Sequence, residues 1–405
     1  MCKIDELIQQ LCPDGVEWKT IKKVCKNIVS GGTPSTSRSE YYYGNIPWLR
    51  TQEVDWVDIY DTAIKITEEG LKNSSAKLVP PDCVIVAMYG ATAAKVAVNK
   101  IPLCTNQACC NLAIDEQQAN YKYVFYWLCN EYRSLKALGE GSQSNINGQK
   151  IKNYRIPIPP IEIQEEIVKI LDLFIDLEAE LEAELKARKK QFTFYRDTLL
   201  SFIGKNIAWK TLGDIGVFVR GNGLQKKDFT EIGIGCIHYG QIYTYYGTFT
   251  DKTKSFVSPE LAKKLKKAST NDLILAGVSE NVEDVCKAVV WLGEEDICVS
   301  GDTFVLKHKQ NGKYLAYQLQ TKKFIDYKKQ HAIGAKVTRL RSNKLKEFEV
   351  PIPPIEEQNR IVDILDKFES LVNSISSGLP AELIGRRKQY EYYRNQLLTF
   401  KPLHN

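Results

Sequence analysis

The side chains whose types and spacing could do chemistry lie beside glycine-containing loops. Thr33 and Ser35 belong to the loop Gly31-Gly32-Thr33-Pro34-Ser35, and Arg38, Tyr41, Tyr42, Tyr43, Arg50, Gln52 and Glu53 follow it. In the other half of the chain, Arg220, Asn222, His238, Tyr239, Gln241 and Tyr243 surround Gly221-Asn222-Gly223. Arginine pairs with guanine edges, and asparagine or glutamine with adenine edges. The chemistry these groups could offer is hydrogen bonding to base edges. A further polar loop at 139–147, with Ser142 and Asn145, has a counterpart at 332–339 that carries Lys336 and Arg339, with Arg341 just beyond. Its hydroxyls, amides and bases suit phosphates or base edges. Plainer readings stand beside these. Aromatic clusters fill cores, a glycine loop is a tight turn or admits another backbone, whether DNA or the protein's own, and a polar loop also serves as a connector.

Bond-breaking chemistry has little support. No G-x-x-x-x-G-K-[ST] phosphate loop occurs, so no nucleotide motor is expected. His238, His308, His331 and His404 are scattered without metal-ligand spacing, there is no C-x-x-C, and no nucleophile–base pair stands out. No catalytic residue, metal or cofactor is expected. The eleven cysteines are an odd number, which reads as free, mostly buried thiols in a reducing cytoplasm. A chain of 405 residues, 43% hydrophobic, can build two to three domains with real cores. It holds no apolar run of about 18 residues, so no membrane span is expected, and its start shows no signal-peptide pattern. The net charge of +6 is mild, but bases gather in two runs. Lys252 to Lys267 holds six lysines and one acid; Lys322 to Lys346 holds nine bases and one acid. Such runs track phosphates or form solvated faces.

The elements that must position these groups come in two copies. Residues 156–177 (IPIPPIEIQEEIVKILDLFIDL) and 350–371 (VPIPPIEEQNRIVDILDKFESL) agree at 14 of 22 positions. Residues 188–202 and 386–400 agree at 8 of 15, with four extra residues between the blocks of the second copy. Upstream the likeness is fainter: Trp18-Lys19-Thr20-Ile21 resembles Trp209-Lys210-Thr211-Leu212. Each copy is thus a divergent globular part, 16–150 or 207–344, followed by a closely matching helical part. The domains expected are 1–150, a spacer at 151–206, 207–344, and a spacer at 345–405.

Pro-x-Pro-Pro within each spacer forbids helix just before it and stiffens the entry to the helix that follows. Ile167, Ile170, Phe174, Leu177 and Leu181 then form one helical stripe, and Tyr195 lies in its continuation. The second stripe runs through Ile361, Ile364, Phe368 and Leu371, then Tyr393 and Leu397. Such stripes bury one another as a coiled coil, and pseudo-two-fold symmetry would make the helices antiparallel. Pro380 should break or kink the second helix. Short apolar runs such as Val84-Ile85-Val86-Ala87 and Leu273-Ile274-Leu275-Ala276 read as buried strands, which makes the globular parts α/β.

Two copies of [IV]-P-I-P-P-I-E-x-Q, each followed by a periodic helix ending R-[KR]-K-Q…Y-R…L-L-[ST]-F, resemble the specificity subunit of type I restriction-modification enzymes. Leu11 to Thr20 (LCPDGVEWKT) and Gly31 to Ser35 are similar to that family as well. The resemblance implies an α+β protein with two α/β target-recognition domains separated by two long paired helices. It implies double-stranded DNA as ligand, with one domain per half of a split site. It also implies two adenine-N6 methyltransferase subunits as partners and, for cleavage, restriction/translocase subunits. The Asn/Asp-Pro-Pro-aromatic motif that such a methyltransferase needs is absent here. Pro160, Gln164, Ile167, Phe174, Leu181 and Tyr195, with Pro354, Gln358, Ile361, Phe368, Tyr393 and Leu397, are the expected positions for helix pairing and partner binding. Two alternatives are a coiled-coil scaffold that binds only protein and a DNA-modifying enzyme with an unrecognised motif.

Overall fold

Val84–Ala87 and Leu273–Ala276 are central strands buried along their whole length. Each sits third in a five-stranded sheet of the same design. In the first, Cys25–Ser30, Cys109–Ile114, Val84–Ala87 and Val96–Asn99 pair antiparallel in that order, and Asp58–Ile59 closes the edge parallel to its neighbour. In the second the order is Gly216–Arg220, Thr303–His308, Leu273–Ala276, Ala288–Trp291 and Phe249–Thr250, with the same senses. A smaller sheet accompanies each: Ile64–Ile66, Tyr42–Leu49 and Cys104–Thr105 in one, and Ser255–Val257, Ile234–Ile237, Ile297–Val299 and Lys267–Ala268 in the other. The faint upstream likeness marks a two-stranded ribbon in each copy, Glu17–Thr20 with Arg155–Ile158 and Trp209–Thr211 with Glu349–Pro351. These features belong to a computed structural model that describes residues 3–139, 145–202, 204–334, 337–373 and 377–403.

The chain forms two compact units, Met1–Glu180 with Leu383–Asn405, and Leu181–Glu382. The helical parts are not bodies of their own. One helix, Ile161–Ser201, runs unbroken for 41 residues, and its two ends serve different units. In the first unit its opening half pairs with the end of the helix Gly378–Leu397: Phe174 stacks on Tyr393 at 5.6 Å and lies 6.3 Å from Tyr390, and Glu178 bonds Arg387 at 2.6 Å. The order of these contacts makes the two segments antiparallel. Ile167 and Leu171 are fully buried there in a core that also takes Leu397, Leu398 and Phe400. In the second unit Tyr195 meets Phe368 at 5.7 Å, and Phe192 and Leu200 join a core with Ile361, Val362 and Leu365.

The junction between sheet and helix is the same in both units, down to single atoms. Gln164 is 1% exposed; its Oε1 accepts from the Asn120 N–H at 2.9 Å and its Nε2 donates to the Pro159 carbonyl at 2.8 Å. Gln358 does the same with Asn311 at 3.0 Å and Pro353 at 2.8 Å. Tyr123 and Tyr314 each donate a hydroxyl to the ribbon, at Pro157 and Pro351, both at 2.9 Å. Tyr126 and Lys122 hold Asp172, and Tyr317 and Lys313 hold Asp366. Gln164 and Gln358, expected among the positions for helix pairing and partner binding, are both buried inside their own unit, where each amide pairs two backbone groups. Pro160 and Pro354 open the helices, their carbonyls taking the Gln164 and Gln358 N–H groups at 3.2 and 3.1 Å.

Pro380 does not kink a helix. Ile355–Asn373 ends first and a new helix starts at Gly378, so Pro380 occupies an opening turn, where a missing N–H costs little. Gly378 has φ +73, and a Cβ there would stand 2.6 Å from the Leu371 carbonyl, so this turn requires glycine. Residues 374–376 lie outside the described residues.

Replacing Gln164 with Leu leaves a buried N–H and a buried C=O unpaired. The expected loss is about 2–4 kcal/mol of stability, read as a lower urea midpoint, and Gln358→Leu should cost a similar amount.

Candidate nucleic-acid interface

In the second unit the strand Gly216–Arg220 delivers Arg220 to the rim of two adjoining grooves. Gly221 follows because a Cβ there would lie 2.0 Å from the Ser300 carbonyl; the close backbone is the protein's own. The same holds at Gly31, where a Cβ would lie 2.1 Å from the Thr105 carbonyl. Arg220 keeps 69% of its side chain exposed while its Nε donates to the Gly301 carbonyl at 3.2 Å and its Nη2 lies 3.8 Å from Asp302. One groove, of about 580 Å³, collects Arg220, Arg339, Arg341 and Lys346 with Ser342, Asn343 and the single acid Asp302. The other, of about 430 Å³, shares Arg220 and Asp302 and adds Gln225, Lys226, His238 and Tyr239. Among the described residues, four bases around one carboxylate leave a positive concavity rich in planar donors, the chemistry of phosphate and base-edge contact.

His238 caps the helix Tyr239–Thr244, its Nδ1 accepting from the Gly240 N–H at 3.2 Å, and its ring lies 4.4 Å from Tyr239. Burial, then the Lys226 ammonium, push its pKa below the ordinary imidazole value, so the ring is neutral at pH 7. Asn222 and Gln241, expected among the base readers, have both ends of their amides engaged within the unit. Asn222 bonds the Lys264 carbonyl at 2.9 Å and the Lys266 N–H at 2.7 Å; Gln241 bonds Ser255 at 2.7 Å and the His238 N–H at 2.9 Å. They shape the loops that carry Arg220 and His238.

The first unit presents fewer charges. Thr33 donates its hydroxyl to Gln107, and Tyr42 donates to the Pro34 carbonyl at 2.7 Å with its ring edge-on to Trp48, so both hold the Gly31–Ser35 loop. Ser35, Arg38 and Gln52 are exposed, with Arg38 bonded to Glu40 at 3.3 Å. Arg50 is half-buried with its Nε unpartnered among the described residues. Asn145 is half-buried and accepts from the Gly90 N–H at 3.4 Å. At a constant offset of 194, Asn145 and Asn147 stand where the second unit has Arg339 and Arg341. Ser142 and Lys336 lie outside the described residues. Gln107 and Lys226 were missed by sequence reasoning. Lys226 follows the Gly221-Asn222-Gly223 loop closely enough to have been found; nothing local marks Gln107.

The two basic runs differ. Lys252, Lys254, Lys263, Lys264, Lys266 and Lys267 are all exposed. The run from Lys322 to Lys346 is mixed. Lys328 is 3% exposed and donates to the Glu283 and Val285 carbonyls at 2.6 and 2.9 Å, while Lys323 sits over the Trp209 ring at 3.9 Å. Lys328 is a core residue, and burial lowers its pKa.

Burial pushes the Cys83 and Cys104 thiols up to about 11 and Cys236 and Cys286 to about 12, which keeps them protonated and unreactive at neutral pH. Among the described residues no cluster of His, Cys, Asp and Glu is placed to hold a metal, and no helix is long and apolar enough to cross a membrane.

The description "Type I restriction modification DNA specificity domain" matches residues 13–188 and again 205–384. The specificity subunit of the type I restriction enzyme EcoR124I/EcoR124II of Escherichia coli is 35% identical over 71% of this chain and 73% of its own length. A Haemophilus influenzae protein named as a type I restriction enzyme specificity subunit is 29% identical over 95% of this chain and 96% of its own. A structure of a type I restriction-modification system matches with a TM-score of 0.68 at 15% identity, over 96% of this chain and 98% of that one. The S subunit of such a system from M. genitalium matches with a TM-score of 0.52 at 16% identity, over 95% and 96%. At these identities the two structures establish the fold.

Lys328→Ala should lower stability by about 1–3 kcal/mol, because two internal carbonyls lose their donor. Lys329→Ala, at an exposed neighbour, should change it by less than about 0.5 kcal/mol. Thermal unfolding of the two variants checks the distinction.

Proposed function

Because the chain belongs to the type I restriction-modification DNA specificity family and carries that family's domain twice, we propose that it is the DNA-reading subunit of such a complex, each unit meeting one half of a two-part duplex site. It is a non-catalytic subunit in this reading. Methylation of adenine N6 belongs to two methyltransferase subunits, and cleavage to restriction/translocase subunits. The cytoplasm, where those partners meet DNA, is its place.

One observation supports this reading above others. The main bonds at the junction of sheet and helix repeat in the two units, while the side chains at the places of Arg220, Arg339 and Arg341 do not. Gln164 and Gln358, Tyr126 and Tyr317, and Asp172 and Asp366 are interchangeable. Asn145 and Arg339 are not. Two like frameworks suit two copies of one partner, and two unlike faces suit two different sequences. The planar donors at Arg220, Arg339 and Arg341 are the groups that pair with guanine edges or phosphates.

The test is an exchange of residues 16–150 for the matching segment of another family member, followed by mapping of methylated adenines in DNA from cells that carry the hybrid and its methyltransferase. One half of the methylated site should change and the other stay. A change in both halves, or in neither, would overturn the reading.

A further inference from the structure

The two units are unequal in a way that the doubled architecture hides. Residues 60–78 of the first unit and 251–269 of the second occupy the same place in the fold. Each leads from the edge strand of the large sheet through a strand of the small one to a short helix, capped by Thr67 in one and Ser258 in the other. The first segment has three lysines and three acids, with Lys65 bonded to Asp61 at 3.1 Å. The second has six lysines and two acids, and all six lysines are exposed.

This surplus is continuous with the grooves. Asn222 clamps the backbone of Lys264 and Lys266, which fixes the lysine segment to the Gly221–Gln225 loop, and that loop lines the groove with Lys226 and Arg220. Arg220 in turn borders the groove with Arg339, Arg341 and Lys346. A basic strip therefore crosses one face of the second unit from Lys267 to Lys346. The first unit has Ser30 at the place of Arg220, and Asn145 and Asn147 at the places of Arg339 and Arg341. Neutral amides and hydroxyls hydrogen-bond, but they release no counterions from a duplex.

We infer that the second unit carries most of the sequence-independent grip on duplex DNA, through phosphates along this strip, and that the first unit, with Arg38 paired to Glu40 and amides or hydroxyls at the matching places, adds mainly short-range contacts. The inference rests on the DNA-reading function proposed above and adds a division of labour to it. Encounter with arbitrary DNA falls mainly to the second unit, because its surplus of exposed bases gives the stronger long-range field. The first unit engages once a matching half-site lies against it.

The test uses the full chain purified with its methyltransferase partner and a random-sequence duplex as probe. Affinity is measured over a salt series for wild type, for a variant with Lys263, Lys264, Lys266 and Lys267 all changed to Gln, and for one with Lys65, Lys72 and Lys77 changed to Gln. The clamp by Asn222 uses backbone atoms, so the first variant should keep its fold. Each phosphate contact removed lowers the slope of log K against log salt by about 0.9, so the first variant should lose about 2 to 4 from its slope. It should still direct methylation to the same sequence. The second variant should keep the wild-type slope. Equal losses in both variants, or no loss in the first, would overturn the inference while an intact methylation pattern leaves the DNA-reading function standing. Loss of the co-purifying methyltransferase with an unchanged slope would also overturn it, by making the strip a protein-docking face. Absence of any site-specific methylation with the wild-type chain would sink the proposed function itself.

Discussion

The structure depends on a buried glutamine where each sheet hands over to its helix. Gln164 and Gln358 each satisfy two backbone groups at once, one from the segment that opens a domain helix and one from the Pro-rich run that opens the long helix. A buried amide with both ends used fixes orientation as well as distance, and removing it strands polar groups in a medium that cannot solvate them. The Tyr–Asp–Lys cluster beside it, Tyr126, Asp172 and Lys122 in one unit and Tyr317, Asp366 and Lys313 in the other, ties the same two elements about two helical turns further on. Given this joint, the direction of each helix relative to its own sheet is set, and the grooved face is free to vary.

That freedom explains why the two copies differ where they do. Arg339 and Arg341 belong to a segment that packs through Leu340 and Leu345, and Asn145 and Asn147 to one that packs through Ile146 and Ile151. The alternation of buried and outward residues lets the outward ones change without disturbing the core. Asn147 shows the limit of the freedom, since it also caps the helix Gly148–Asn153 with a 2.9 Å bond to the Lys150 N–H. Arg341 at the same place makes no side-chain cap. The second unit thus gives up a cap in exchange for an exposed guanidinium, a local loss of about 1 kcal/mol.

What the sequence made legible follows from how local each interaction is. The repeat, the buried strands and the helical stripes are patterns over neighbouring residues, so their outlines could be read directly. Side-chain roles set by distant partners could not. Asn222 reads locally only as a base reader, and its bonds to the Lys264 carbonyl and the Lys266 N–H, some forty residues away, give it a second role that no local pattern marks. Lys328 looks like part of a phosphate-tracking run until the Glu283 and Val285 carbonyls close over it. Gln164 and Gln358 stand in the most recognisable motif of the chain, yet their partners at Asn120 and Asn311 carry no local mark. Pro380 misled for the opposite reason: its meaning depends on whether a helix is already under way, and the helix Gly378–Leu397 starts just before it.

The exchange of helix ends has a consequence for assembly. The core of the first unit takes Leu397, Leu398 and Phe400 from the far end of the chain, and a bridge from Val16 to Pro402 closes beside them. The residues they pack against, Ile167 and Leu171, lie more than two hundred positions earlier. Closing a loop of that size costs little more than closing one half as long, because the entropy grows only with the logarithm of length. It does require that the loop exist, so the first unit cannot be completed until the second has been synthesised. The second unit has the reverse order, since its borrowed segment, Phe192 to Leu200, precedes it in the chain. Each half of the protein is therefore finished by a segment from the other, and packing adds its own demand for matched helical parts: each half supplies an end that must fit a helix of the same design.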